Sequence, residues 1–121
     1  MTTVDIYCRT ADDGPETRTT LERQEAECRA YCQEYRLDIG MVHHEIASGT
    51  TYERGHLSLV RSRYRNQLIQ GVVVTYMYRL ARTPDILIAL LEEMKAYQAV
   101  LHCANENIED NLAIRLLRVQ K

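Results

Sequence analysis

The sequence predicts an α/β fold, a single three-layer domain with a mainly parallel four- to five-stranded sheet, and three observations lead there. Strand-like and helix-like segments alternate along the chain, the pattern of crossover connections and hence of parallel pairing. The run Val72-Val73-Val74-Thr75-Tyr76 is β-branched or aromatic throughout, which suits a strand covered on both faces. A length of 121 residues, 45% hydrophobic and 26% charged, fits one ordinary globular domain with one core.

Thr3 to Arg9 reads as the first strand, with Val4, Ile6 and Cys8 on one face and Tyr7 on the other. Asp12-Asp13-Gly14-Pro15 is turn chemistry and ends it. Thr19 and Glu22 have capping-box spacing, and Leu21, Cys28, Tyr31 and Tyr35 recur at helical intervals, so a helix is expected from about Thr20 to Tyr35. Gly40 to Ile46 is a second strand, less apolar and therefore nearer an edge. Residues 47–55 form a polar loop containing Gly49 and Gly55. Leu57, Val60, Tyr64 and Leu68 mark one face of the next helix and leave Arg61 and Arg65 on another. After the central strand, Thr83-Pro84 supplies an N-cap hydroxyl and a first-turn proline, and Leu87, Leu90, Leu91, Met94 and Tyr97 give that helix its buried stripe. Ala99 to Ala104 is a short apolar strand and Asn105 to Asp110 a polar loop. Asn111 to Lys121 restarts a helix with Leu112, Leu116 and Val119 on one side.

Composition narrows the chemistry. Cys8, Cys28, Cys32 and Cys103 contain no CxxC pair, and His43 and His44 are adjacent on a strand and point to opposite faces, so no metal is expected. No G-x-G-x-x-G or G-x-x-x-x-G-K-[ST] occurs at a strand-to-helix turn, and no nucleotide cofactor is expected either. No apolar run approaches the roughly 20 residues of a bilayer span, and the N-terminal residues lack a basic signal-peptide region, so the expected location is cytoplasmic with no membrane contact. The net charge of -2 conceals a polarity. No acidic residue lies between Glu53 and Asp85, whereas Arg54, Arg61, Arg63, Arg65, Arg79 and Arg82 all do, leaving -8 on the remainder. Such a window can draw a polyanion to one surface. The plainer reading is a solvated arginine face.

Four motifs then occur in order: Tyr7-Cys8-Arg9, Leu21-Glu22-Arg23-Gln24, Ala47-Ser48-Gly49 followed by Glu53-Arg54, and Arg79-Leu80-Ala81-Arg82. Together they resemble the N-terminal catalytic domain of the serine site-specific recombinases, the resolvase/invertase family, over almost the whole chain. The resemblance implies DNA as partner and a phosphoryl transfer without cofactor: a serine hydroxyl attacks the scissile phosphate, a phosphoserine link to DNA forms, and the reaction reverses after strand exchange. It implies Arg9, Arg54, Arg79 and Arg82 as phosphate ligands, since guanidinium forks stabilise the charge of a phosphoryl transition state. Gln24 and Ser48 are implied as polar groups that orient them. Residues 1–110 would be the catalytic domain, and 111–121 the start of a truncated dimerisation helix, giving a weak homo-oligomer where the family forms dimers and synaptic tetramers.

Two positions depart from the pattern. The nucleophile position holds Ala11, whose methyl group cannot attack phosphorus, and the residue before the first central arginine, usually aspartate, is Tyr78. Thr10 is the nearest hydroxyl, but a one-residue shift at a strand end points its side chain the other way. The expectation is a recombinase catalytic domain inactive in DNA cleavage as it stands. Two alternatives remain: a non-catalytic DNA-phosphate-binding or regulatory dimerisation module with the same fold, and a flavodoxin-like domain that binds a small anion.

Overall fold

The computed structural model describes residues 2–50 and 54–107. Its elements are β1 (Thr3–Thr10), α1 (Thr17–Glu34), β2 (Asp38–Ile46), α2 (Gly55–Arg65), β3 (Gly71–Val74), α3 (Met77–Leu80), α4 (Pro84–Ala96) and β4 (Val100–Cys103). The four strands pair in the order β2-β1-β3-β4, every neighbour parallel. From β1 the chain steps outward to β2, then returns past β1 to β3 and β4. The strand order therefore reverses between β1 and β3, and in open sheets ligands bind outside the carboxyl ends of the strands at such a point.

Strand alternation divides the core in two. Val4, Ile6, Cys8 and Val73 meet Leu21, Cys28 and Cys32 of α1 on one face. Tyr7, Val72 and Val74 meet Leu57, Val60 and Tyr64 of α2 and Leu87, Leu90, Leu91 and Met94 of α4 on the other. Val72, Val73 and Val74 are all fully buried, as a strand covered on both faces requires. β2 is an edge strand, with His43 buried and His44 exposed.

Where β1 and β2 pair, Val4 faces Ile39 but Ile6 faces Val42, so Gly40 and Met41 together oppose Asp5. The bulge admits the Asp5 carboxylate, which accepts from Met41 N at 2.8 Å. A Cβ on Gly40 would lie 2.8 Å from that carboxylate and 2.9 Å from Arg63 Nη2, so no larger residue fits without displacement.

Several helix boundaries differ from those expected. α1 begins at Thr17, before the expected capping box, and its N-cap is Glu16. Thr17 Oγ1 instead accepts from Gly14 N (2.7 Å) and donates to Asp12 O (2.8 Å), folding the turn onto the helix. The expected end of α1 at about Tyr35 holds to within one residue, whereas Leu68 and Tyr97, expected on buried helix faces, fall past the last residues of α2 and α4. Tyr35 and Tyr97 are C-caps and exposed, and Leu68 lies beyond α2, exposed, while Ile69 takes the buried place. In each case a non-glycine residue reverses the chain at positive φ: Arg36 (57°), Gln67 (61°) and Gln98 (59°). The following amide bonds back into the last turn, Leu37 N to Cys32 O, Leu68 N to Arg63 O and Ala99 N to Met94 O. These are Schellman ends without the usual glycine. At the start of α4 Thr83 and Pro84 hold the expected N-cap and first-turn places, although the Thr83 hydroxyl is buried with no hydrogen-bond partner among the described residues. Thr51 to Glu53 of the second loop and the helix expected over 111–121, with Leu112, Leu116 and Val119, lie outside the described residues.

Candidate functional site

Arg9, one residue from the end of β1, is 1% exposed. Its guanidinium donates to three backbone carbonyls: Nε to Arg79 O (2.7 Å), Nη1 to Ala47 O (2.9 Å) and Nη2 to Tyr78 O (2.6 Å). Its main chain is held as firmly, because Gln24 Oε1 accepts from Arg9 N (3.0 Å) while Gln24 Nε2 donates to Arg9 O (3.1 Å). Arg79 Nη1 donates to the same carbonyl at 3.1 Å. One arginine thus ties together the end of β1, the loop after β2 and α3. Burial, with Arg54 nearby, lowers its pKa to about 10, so the fold spends stability to hold this charge inside.

Arg54, the N-cap residue of α2, is likewise buried. Its Nη2 donates to Leu80 O (2.6 Å) and its Nη1 to Tyr7 Oη (3.1 Å), with the guanidinium 5.9 Å from the Tyr7 ring centre. Tyr7 in turn donates to Glu45 Oε1 at 2.7 Å. The Glu45 carboxylate accepts from His56 N (2.8 Å) and Leu57 N (3.0 Å), placing an anion where the first turn of α2 leaves its amides free. Burial raises the Tyr7 phenol well above its ordinary range, and this outweighs the opposing pull of Arg54.

The loop after β2 crosses this centre closely. Gly49 O accepts from Arg82 N at 2.9 Å, and a Cβ on Gly49 would stand 2.5 Å from Arg82 Cγ and 2.7 Å from Arg9 Nη2. Arg79 is half-buried and Arg82 exposed. No carboxylate among the described residues forms an ion pair with either one. The Arg79 guanidinium lies 4.8 Å from the centre of the exposed Tyr78 ring, and Tyr78 stacks on Tyr76 at 5.4 Å and 21°. Ser48 is exposed, and its hydroxyl pairs with Thr50 Oγ1 at 2.7 Å within the loop. Ala11 follows β1 directly and is exposed.

The other arginines of the basic window point elsewhere. Arg61 forms a two-pronged pair with Glu93 (2.9 and 2.8 Å), Arg65 reaches the same carboxylate, and Tyr64 donates to it. Arg63 forks the fully buried Asp5 carboxylate at 2.6 and 3.0 Å, where His43 Nε2 also lies 3.0 Å away. These three are spent on acids outside the window, so the polyanion-attracting face expected of six arginines shrinks to the centre around Arg9, Arg54, Arg79 and Arg82.

Sequence reasoning included Tyr7 in a motif without giving it a role in this centre, and missed Glu45. The available signal was His43 and Glu45 in alternation on an edge strand, facing a helix that begins at an arginine. The four cysteines are buried free thiols, and burial pushes Cys8 and Cys103 up to about 12. Among the described residues no cluster of three or more histidines, cysteines or acids is placed to hold a metal, and no helix is long and apolar enough to cross a membrane.

Residues 4–119 match the family model of the resolvase N-terminal domain. No curated protein matches the sequence significantly. Among solved structures, the chain is similar to the N-terminal catalytic domain of TP901-1 integrase, with a TM-score of 0.80 and 18% identity over 97% of this chain and 89% of that one. A resolvase family site-specific recombinase from Streptococcus pneumoniae gives 0.78 and 17% over 99% and 85%. The C-terminal catalytic domain of ISC1926 TnpA, an IS607-like serine recombinase, gives 0.78 and 20% over 98% and 76%.

Proposed function

As the chain belongs to the resolvase N-terminal domain family, we propose that its arginine centre holds the phosphodiester backbone of DNA and that, with a methyl group at Ala11, it binds DNA without cutting it. The observation that carries this reading is the gathering of Arg9, Arg54, Arg79 and Arg82 from three separate segments at the carboxyl ends of the strands.

The four have different parts in it. Arg79 and Arg82 reach the surface and carry no carboxylate partner among the described residues, so they make the direct phosphate contacts. Arg9 and Arg54 donate to main-chain carbonyls, fix the loops that present the other two, and add buried positive charge beneath the anion. Gln24 sets the Arg9 backbone. Ser48 supports the loop through Thr50. A serine at position 11 would supply the missing nucleophile: its oxygen bonds to phosphorus as the bond to the 3′ oxygen breaks, the hydroxyl proton passes to that departing oxygen, and phosphoserine remains joined to the 5′ end. On the same reading the domain works in the cytoplasm and associates weakly with copies of itself.

Arginines that neutralise phosphates without reading base edges give sequence-indifferent binding, no tighter than ~10⁻⁴ to 10⁻⁶ M and steep in salt. Replacing Arg79 and Arg82 together with alanine is expected to flatten the log-log salt slope by about 1.8, two phosphate contacts' worth. Arg61→Ala should leave the slope unchanged, since Glu93 already neutralises that charge. An unchanged slope in the double variant would return both arginines to the role of solvated surface.

A further inference from the structure

A recess opens beside the arginine centre, between α1, the end of β3 and the turn after β4. Its volume is about 230 Å³, and its walls include Arg23, Glu27, Thr75, Tyr76, Arg79 and Asn105. That is below the ~300 Å³ at which drug-sized ligands begin, so it has room for one small planar group and its substituent but not for a duplex.

Three features define the chemistry of an occupant. Tyr76 is half-buried and lines the recess, with the Tyr78 ring stacked on it at 5.4 Å and 21°. Arg79 reaches the recess from the phosphate-binding centre, and its Nε is buried with no hydrogen-bond partner among the described residues. The carboxylate in the wall, Glu27, is engaged by Asn105 Nδ2 at 2.7 Å, which leaves the Asn105 amide oxygen and the exposed Arg23 as polar contacts at the rim. An aromatic side chain in the lining, an arginine donor in want of an acceptor and an amide edge together match a nucleobase joined to a phosphate.

We propose that this recess takes a single unpaired nucleotide of DNA, its base against Tyr76 and its phosphate on Arg79. Base faces inside a duplex are covered by their neighbours, so stacking on a protein ring selects bases that have left the stack. This rests on Arg79 being a phosphate ligand and adds a preference that phosphate contacts alone do not give.

The test is fluorescence anisotropy with three labelled short oligonucleotides of equal length: a single strand, the same strand with abasic sites, and the duplex. The intact strand should bind about tenfold tighter than the abasic strand, which carries the same charge. Tyr76→Leu should bring that ratio to about one with the salt slope unchanged, and Tyr76→Phe should preserve it. Arg79→Ala should lower the single-strand slope by about 0.7 and leave the ratio intact. Equal affinity for intact and abasic strands, or a ratio that survives Tyr76→Leu, overturns the proposal. If Tyr76→Leu fails to fold, the ratio measured on the unaltered chain decides alone. Arginine-dependent binding of duplex with no preference for the intact single strand overturns the recess and leaves the phosphate reading standing. Failure to bind any of the three overturns both.

Discussion

Gln24 gives Arg9 what a neighbouring strand would give: one acceptor for its amide and one donor for its carbonyl, at 3.0 and 3.1 Å. Because both groups are buried, Gln24→Leu leaves the Arg9 N–H without a partner and should cost about 2 kcal/mol, read as a lower urea midpoint at unchanged m-value. The residues of this centre were legible because their motifs recur in a fixed order along the chain. What the motifs did not show is that Arg9 and Arg54 turn their guanidiniums onto carbonyls of Ala47, Tyr78, Arg79 and Leu80. Every residue has a carbonyl, so such partners leave no trace in residue type. Glu45 escaped notice for a related reason. It caps α2 from a different element, and cap signatures are local to a helix's own first turn.

Elements were legible where periodicity was strong and their ends were not. The valines of β3, the stripe of α4 and the edge position of β2 followed from burial patterns. The C-terminal ends of α2 and α4 did not, because the stop signal at each is a backbone conformation occupied by Gln67 or Gln98 instead of glycine, as Arg36 occupies it after α1. Side chains at positive φ pay a steric cost of ~1 kcal/mol or more that glycine avoids. Arg36→Gly and Gln98→Gly, both exposed, should therefore each raise stability by about 0.5–1 kcal/mol, nearly additively, in thermal or urea unfolding. Gln67→Gly should gain less, since the Gln67 amide also donates weakly to Tyr64 O and Tyr97 O.

Across the whole molecule, the charge polarity visible in the sequence is partly cancelled in three dimensions by acids far along the chain, Asp5 for Arg63 and Glu93 for Arg61 and Arg65. Burial by itself would raise the Asp5 carboxyl, but hydrogen bonds from His43, Arg63 and Met41 N outweigh it and hold the pKa below the ordinary value. The bonds from Arg61, with Tyr64 adding to them against partial burial, do the same for Glu93. A depressed carboxylate contributes stability that is complete above its unfolded pKa of ~4 and is lost as pH falls through the folded value. Unfolding midpoints should thus hold from pH 7 to about 5 and drop steeply below ~4. Asp5→Asn should cost about 3 kcal/mol at neutral pH, the low end for a broken buried pair because Arg63 keeps some solvent contact, and should flatten the acid limb. The Arg9 clamp has a further consequence, in the order of opening. Its carbonyl partners lie 38, 69 and 70 residues away along the chain, so moving any one of them strands a charge in the interior. The end of β1, the loop at Gly49 and α3 therefore open as one cooperative unit, and in native-state hydrogen exchange the amides of Arg9, Ala81 and Arg82 should share a single opening free energy.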